Sequence, residues 1–249
     1  MLPLVQEWIS RTAKWSNDNT GVVSVCIFLT TLLFGWSSGI FQALRRKPKF
    51  KLRIIPGPTF SCTFPTGKTH ETYTVHRTAI ALYIAVTNIG SSSSSICGVS
   101  VGYHWNLQPF SVQWLKYGVG WFWLHDQAIA LEDFQCKIGE STKFFPFLIQ
   151  ASSVSLNAGE TFLEVGRSTN GVVYFEQADS WGGCLPKPED DTIKITVSIR
   201  DSFDRLHKRK FRIPCVSLDH ARKFNPSFGK TRAELHKEPL PFDSERGGK

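Results

Sequence analysis

An uncharged stretch at residues 19–44, followed at once by a cluster of basic residues, constrains this chain more than any other feature. A helix of about 20 apolar residues crosses the hydrocarbon layer of a bilayer, and this stretch is long enough to do so. We therefore predict one transmembrane helix over residues 20–44. A cleaved signal peptide is the alternative, but signal peptides carry their basic residues before the apolar run, and here the cluster follows it.

The basic cluster, which we call the collar, predicts the orientation of the helix. It consists of Arg45, Arg46, Lys47, Lys49, Lys51 and Arg53. Lysine and arginine beside a membrane helix favour the cytosolic side, and only two basic residues precede the helix. We therefore expect the N-terminus outside and the rest of the chain in the cytosol, with the collar facing anionic lipid. The opposite orientation is the alternative; the odd number of cysteines after the helix argues against it, because secreted disulfide frameworks pair their cysteines.

Small residues recur at every fourth position of the predicted helix: Thr31, Gly35, Gly39 and Ala43. This spacing places them along one face, and small side chains let two membrane helices approach closely. The stripe predicts a homo-oligomer that forms through the helix. The alternative is that the spacing reflects only the frequency of glycine in membrane helices.

Residues 1–19 have apolar residues near helical spacing, with Trp8 and Trp15 on the apolar side. They predict an amphipathic segment that lies in the membrane interface, where tryptophan is favoured. A frayed terminus is the alternative.

Beyond the collar, the hydrophobic period changes from that of a helix to that of a strand. In "TIKITVSI", residues 192–199, apolar residues alternate with polar ones, which is typical of a half-exposed antiparallel strand. In "TAIALYIAVT", residues 78–87, the pattern predicts a strand that is buried on both faces. About eight such segments, separated by turn-rich joints, predict a mainly β domain over residues 54–216, as a two-sheet sandwich or a barrel.

The segment "LYIAVTNIGSSSSSICGVSV", residues 82–101, resembles the opening of many bacterial immunoglobulin-like domains, in which a Val-x-Asn-x-Gly turn joins two core strands. "SLNAGETFLEV" and "IKITVSIRDSFDRLHKRKFRI" are similar to later parts of such domains. The resemblance covers residues 50–215 loosely. It implies an immunoglobulin-like sandwich, as in bacterial membrane-anchored proteins of this kind, and it implies no activity. Residues 106–143 depart from the pattern as a long insertion. We predict that residues 217–249 form a tail, which contains a short helix from Asp219.

The sequence contains no recognisable catalytic, metal or cofactor motif. It lacks a C-x-x-C pair, helical histidines at metal spacing, and P-loop, dinucleotide and G-x-S-x-G fingerprints. His104 and His125 with Asp126 are a possible acid–base pair, although a histidine beside Trp105 on a strand is more often a packed residue. We therefore predict no enzyme, no metal and no cofactor. A nucleic-acid partner is not expected either, because most of the net charge of +8 lies in the collar.

Five aromatic residues crowd into the insertion, within residues 112–126: Trp114, Tyr117, Trp121, Phe122 and Trp123. The segment is too short to cross a bilayer. Three interpretations stay open: contact with the membrane interface, the wall of a ligand pocket or partner site, or a second small core packed on the sheets.

A second group of candidates is basic and lies near the end of the domain: Arg205, Lys208, Arg209, Lys210 and Arg212. Such a patch suits an anionic partner. The alternative is a solvated edge strand, which lysine and arginine protect against aggregation.

These features together predict a membrane-anchored binding or sensing protein, whose cytosolic β domain engages an unknown protein or small-molecule ligand at the membrane surface. The alternative function is a membrane-perturbing effector of the defence or toxin type, whose helix oligomerises under the control of the β domain. A membrane-tethered enzyme is a third hypothesis.

Overall fold

The computed structural model describes residues 2–38, 46–128, 130, 132–149 and 160–230. The chain divides into two compact units, Met1–Lys47 and Pro48–Lys249, which we call the anchor unit and the β unit. The division follows the sequence, because the first unit holds the uncharged stretch and the second holds the segments with strand periodicity.

The anchor unit contains two helices, α1 (Leu2–Asp18) and α2 (Thr20–Ser37). Between them, Asn19 has a backbone conformation outside the helical region (φ −123°, ψ 42°). α2 has no buried residue, and it is long and apolar enough to cross a membrane; a signal sequence has the same properties. Of the predicted helix 20–44, the part after Ser38 lies outside the described residues.

The regular secondary structure of the β unit consists mainly of strands. They are β1 (Phe50–Ile54), β2 (Phe60–His70), β3 (Tyr73–Asn88), β4 (Ser94–Tyr103), β5 (Phe122–Leu124), β6 (Phe134–Ile138), β7 (Ser141–Phe145), β8 (Phe162–Leu163), β9 (Ser168–Glu176), β10 (Pro188–Glu189), β11 (Thr192–Asp201) and β12 (Leu206–Pro214). A π-helical turn, Trp114–Val119, precedes β5, and a short helix, α3 (Leu218–Phe224), follows β12. The prediction of a mainly β domain is confirmed.

All pairings between these strands are antiparallel. In a four-stranded sheet, β1 and β2 pair with successive parts of the long strand β3, which also pairs with β9. In a six-stranded sheet, β11 pairs with β10, β12 and β4, and β4 pairs with β5 and β8. β6 and β7 form a separate hairpin.

The central strand of the four-stranded sheet, β3, is buried on both faces over residues 78–84, within the stretch for which the sequence predicts it. On β3, Ile80, Leu82 and Ile84 belong to a core cluster that also takes residues from β4, β11 and β12, so this core lies between the two larger sheets. Ala79 and Ala81 belong to a second cluster, which includes residues of β6, β7 and the segment around α3. The β unit therefore has three layers.

Side chains of β12 cover the edge of β1 that faces the six-stranded sheet. The guanidinium of Arg209 donates to the carbonyl of Leu52 at 2.7 Å, and the backbone N–H of Phe50 donates to Nδ1 of His207 at 3.3 Å. Because an unpaired strand edge needs partners for its backbone groups, these bonds join the two sheets at their margin.

The turn between β3 and β4 is organised by Asn88, which is completely buried. Its side-chain oxygen accepts from the backbone N–H of Gly90 at 3.0 Å, and its amide donates to the carbonyls of Ser92 and Leu163 at 2.8 and 3.0 Å. The asparagine of the Val-x-Asn-x-Gly pattern therefore holds three chain segments together.

The β unit differs from the sequence prediction in several places. β5 and β6 lie in the segment that was predicted only as an insertion, and the short strand β10 was not predicted. β2 was not predicted, because Pro65 and Gly67 resemble turn residues; the structure has a register shift between Pro65 and Thr69 instead. The domain also extends beyond residue 216, where the tail was predicted to begin. α3 is the short helix expected from Asp219, and it is followed by Phe228, which is buried against Phe60 and Tyr174 at ring-centroid distances of 5.5 Å.

Candidate binding groove on the six-stranded sheet

The outer face of the six-stranded sheet has small side chains along its two middle strands. The residues that alternate with them along β4 and β11 point into the core. The residues that point outward are Gly98, Ser100 and Gly102 on β4, and Thr196 and Ser198 on β11. A row of small residues flanked by larger ones forms a trough in the sheet surface.

Two tryptophans of the insertion form one side of the trough. β5 pairs with β4 and places Trp123 opposite Gly102. A Cβ atom at Gly102 would lie 3.0 Å from the indole of Trp123, so the ring lies directly on the glycine. Trp121 lies next to it, with ring centroids 6.5 Å apart. Only glycine lets a ring approach the backbone this closely.

Two lysines of β12 form the other side and reach back over the tryptophans. The ammonium of Lys208 lies 5.2 Å from the ring centroid of Trp123, and that of Lys210 lies 5.7 Å from the ring centroid of Trp121. Both distances are in the cation–π range. The structure thus brings together the aromatic insertion and the basic patch, which are far apart in the sequence and were predicted as two separate candidate sites.

The five predicted aromatic residues divide between two environments. Phe122 points inward, where it packs on Trp105 and Tyr103 at centroid distances of 4.5 and 5.5 Å. Tyr117 packs on Trp105 as well, at 4.5 Å. Trp114 lies beside Phe110, which is almost fully exposed. The inner residues extend the core, whereas Trp121 and Trp123 line the outer face.

The five predicted basic residues also divide. Lys208, Lys210 and Arg212 point outward, and Arg212 lies 3.4 Å from a carboxylate oxygen of Glu189. Arg209 points to β1, and its guanidinium lies 5.5 Å from the ring of Phe211. Arg205 is in the turn before β12. Two of the five therefore have the aromatic contacts that define the trough.

One end of the trough opens into a groove of about 370 Å³. Gly98, Ser100 and Ser198 lie in its floor. Trp123, His125 and Asp126 line one side, and Arg200, Leu206 and Lys208 line the other. This volume is within the range of small-ligand sites, about 300–1,000 Å³.

Two hydroxyl groups beneath the tryptophans and lysines have no hydrogen-bond partner among the described residues, those of Thr196 and Ser198. Both residues are buried, with exposed fractions of 5% and 2%. Buried polar groups in proteins are nearly always hydrogen-bonded, so these two are exceptional. Ser198 lines the groove, but its hydroxyl is covered, so a ligand can reach it only if the side chains above it move.

The charges around the groove are mainly positive and only partly paired. Arg200 has a distant, exposed ion pair with Asp204 at 3.5 Å. Lys208 and Lys210 have no carboxylate within ion-pair distance in the described part of the chain. Farther along the same face, a hydrogen bond from Lys194 holds the pKa of Glu189 below its usual value, so this carboxylate is already engaged.

The histidines proposed as an acid–base pair each lie against an indole. The ring of His104 is 4.0 Å from that of Trp121, and the ring of His125 is 6.3 Å from that of Trp123 and nearly parallel to it. Nδ1 of His104 is hydrogen-bonded to the carbonyl of Gly120. In the described ranges, no group of three histidine, cysteine or acidic residues is placed to hold a metal ion.

The collar and the helix stripe are only partly described. Arg46, Lys47, Lys49, Lys51 and Arg53 are exposed, and Arg45 lies outside the described residues. Lys51 and Arg53 alternate with core residues of β1, so they point away from the core and from the groove face of the other sheet.

In α2, the hydroxyl of Thr31 donates to the carbonyl of Ile27 at 2.8 Å, and Gly35 lies one turn further on. Gly39 and Ala43, the other members of the stripe, lie outside the described residues. The structure therefore describes only the first half of the predicted stripe of small residues.

The floor of the groove was not predicted, although the sequence contains a signal for it. In "GVSVG", residues 98–102, the residues between the core valines are all small. That alternation predicts a strand whose outer face has only small side chains. Comparison with protein-family models finds no match to this chain, and no curated protein matches it.

Proposed function

We propose that this chain is a single-pass membrane protein whose β unit binds a ligand through the groove on the six-stranded sheet. The observation that carries the proposal is the meeting of Trp121 and Trp123 with Lys208 and Lys210 over a floor of small residues. Aromatic and cationic walls around a groove are a common way to bind a ligand that is partly apolar and partly anionic.

The same proposal includes the location of the β unit. α2 supplies the apolar length for a membrane span. The exposed basic residues that follow it favour the cytosolic side, where anionic lipid is available to the collar. The β unit then works in the cytosol, close to the membrane surface.

We further infer that the two larger sheets form an immunoglobulin-like sandwich. Antiparallel strands, a shared core and the buried Asn88 in the turn between two core strands support this inference. An experimental structure in which the two sheets do not share the core of Ile80, Val101 and Ile195 would contradict it.

Binding requires no group beyond those that the groove supplies. The rings of Trp123 and His125 offer flat surfaces, Lys208 and Arg200 offer positive charge, and Ser198 offers an unpartnered hydroxyl. We therefore propose recognition and not catalysis as the role of this site.

The decisive experiment compares ligand retention by the wild type and by Gly98→Leu. A Cβ atom at Gly98 meets nothing within 4 Å, so a leucine fills the groove without disturbing the strand. The full chain, purified in mild detergent, is incubated with a small-molecule cell extract and repurified. Compounds released on denaturation are then identified by mass spectrometry.

We expect at least one compound to be retained by the wild type and lost from Gly98→Leu. Lys51→Met, which removes an exposed lysine on the opposite side of the β unit, is the matched control and should retain it. Equal retention by all three proteins, or retention by none, would show that the groove is not a binding site.

A further inference from the structure

We propose that the groove binds a nucleoside monophosphate, with its base against the aromatic side and its phosphate against the basic side. This inference rests on the proposed binding function and names the chemical class of the ligand. The groove places flat rings, cations, one carboxylate and one buried hydroxyl around a single volume of about 370 Å³. A nucleotide presents a complementary group to each of them.

The aromatic side provides a surface for a base once the ammonium of Lys208, which lies over the ring of Trp123, moves from that ring to the phosphate. The rings of Trp123 and His125 are inclined by only 20° to each other and both line the groove. Trp123 is fixed from below by Gly102, so it does not have to be ordered when a ligand binds. Stacking of bases on aromatic side chains is a recurrent source of nucleotide affinity and tolerates any base.

The basic side provides a site for a phosphate. Among the described residues, Lys208 contacts the ring of Trp123 and has no carboxylate within ion-pair distance. Arg200 has an exposed ion pair with Asp204 at 3.5 Å, which a ligand can replace at little cost. The two cations belong to adjacent strands, because Arg200 is opposite Leu206 in the register and Lys208 is opposite Ser198. Their side chains therefore converge on the same end of the groove.

The remaining two polar groups match the sugar and the base edge. The hydroxyl of Ser198 has no partner among the described residues, and it is covered, so a ribose hydroxyl can supply the hydrogen bond that it lacks only after the side chains over it shift. Asp126, a carboxylate that lines the aromatic side, is an acceptor for an amino or imino group of a base. Inorganic phosphate would be repelled by Asp126 and would leave the aromatic side without a partner.

A lipid headgroup is a less suitable source of the phosphate. Lys51 and Arg53 of the collar point away from the core on the side opposite to the groove. A flat bilayer that contacts these two residues does not reach the groove at the same time. We therefore assign the phosphate to a soluble ligand and make the lipid an outcome of the test.

The test is calorimetric titration of the full chain in neutral lipid nanodiscs with AMP, GMP, CMP and UMP, and with the corresponding nucleosides and inorganic phosphate. We expect at least one monophosphate to bind about tenfold or more tightly than either its nucleoside or phosphate. Lys208→Met, which keeps the aliphatic chain over Trp123 and removes the charge, should weaken it about tenfold. Gly98→Leu should abolish binding, and Lys51→Met should leave it unchanged.

Alkylation of Cys97 provides a second readout. This cysteine is exposed and lines the groove, so a bound nucleotide should slow its modification, as followed by peptide mass spectrometry. Cys215, which is exposed elsewhere on the β unit, is the internal control and should react at the same rate with and without nucleotide.

Three results would overturn the assignment. They are no binding of any monophosphate up to about 1 mM, equal affinity for phosphate alone, or protection of Cys97 by anionic nanodiscs without nucleotide. If one of them occurs while the extract experiment still yields a compound that Gly98→Leu loses, the ligand class is wrong and the binding function stands. If the extract yields no such compound either, both proposals fail.

Discussion

At the scale of single residues, Asp201 stabilises the turn between β11 and β12. Its carboxylate is fully buried and accepts three hydrogen bonds at 2.9 Å, from the backbone N–H groups of Phe203 and Arg205 and from Nε2 of His207. Burial alone would raise the pKa of this carboxyl, but the hydrogen bonds from His207 and the two backbone groups outweigh it, so its pKa is lowered.

We expect Asp201→Asn to lower the free energy of unfolding by about 1–3 kcal/mol at neutral pH, because an amide N–H₂ would face the N–H of His207. The tautomer of His207 cannot adapt, since its Nδ1 accepts from Phe50. A lowered folded pKa means that the contribution of Asp201 is complete above about pH 4 and is lost as the pH falls through the folded value. In denaturant titrations, the free energies of unfolding of the wild type and of Asp201→Asn should therefore become equal as the pH is lowered. A constant difference from pH 7 down to acid would contradict this account.

Neighbouring residues on β5 test the division between core and groove. Phe122→Ala should destabilise the β unit by about 2–3 kcal/mol, because it removes a half-buried ring that packs among Trp105, Tyr103 and Tyr117. Trp123→Ser should cost about 1 kcal/mol, mainly the cation–π contact with Lys208 and the contact with Gly102. Thermal unfolding of the full chain measures both. Equal losses would mean that Trp123 belongs to a second core and not to a binding wall.

At the scale of elements, the segment after β12 completes the layer that covers the four-stranded sheet. Ser217 caps α3 by accepting from the N–H of His220, and Phe228 packs into the second core cluster. We expect Phe228→Ala to destabilise the β unit by about 3–5 kcal/mol. Phe203→Ala, at an exposed position in the turn before β12, is the matched control and should change stability by less than about 0.5 kcal/mol. An unchanged melting temperature for Phe228→Ala would put the end of the domain at residue 216 after all.

The helix stripe leads to a prediction about assembly. If α2 self-associates through its small residues, Gly35→Leu with Gly39→Leu should convert the protein to a monomer in mild detergent, because the larger side chains keep the backbones apart. Leu32→Ala with Leu33→Ala, off the stripe, should leave the oligomer intact. Crosslinking through a cysteine introduced at Thr31, with Cys26 removed, provides the measurement. An oligomer that survives the leucine pair would show that another surface sets the assembly, and it would weaken the effector hypothesis.

The periodicity of the strands with strong alternation was predictable from the sequence, whereas the juxtaposition of elements was not. β3 and β11 have alternations strong enough to give their burial directly, since side chains alternate across a strand. β2 was missed because Pro65 and Gly67 resemble a turn, although the strand accommodates them with a register shift. Local turn signals of this kind do not prevent a strand from forming where pairing with a neighbouring strand favours it.

At the scale of the whole molecule, the groove was not predictable because local sequence patterns do not show which distant strands will pair. Trp123 and Lys208 are far apart in sequence, and they meet only because β4 pairs with β5 on one edge and with β11 on the other, which in turn pairs with β12. The pattern of small residues from Gly98 to Gly102 was readable, but its meaning depends on those pairings. The residues of the two walls were therefore recognisable as separate sequence features, whereas the floor of the groove and the meeting of the walls were not predictable.

The orientation of the whole chain gives the last prediction. Basic residues flank a membrane helix on the cytosolic side, and the collar has six of them against two before α2. A fluorescent reporter that folds only in the cytosol, fused after Lys249, should therefore be bright. Neutral replacements of Arg45, Arg46, Lys47 and Lys49 should lower its signal, because the charge asymmetry is then removed. Replacing Lys208 and Lys210, which lie far from the helix in sequence, should not change it, since only charges near the ends of the helix direct insertion. A dark reporter on a stable, full-length protein would place the groove outside the cytosol, and its ligand would then have to be sought among extracellular compounds.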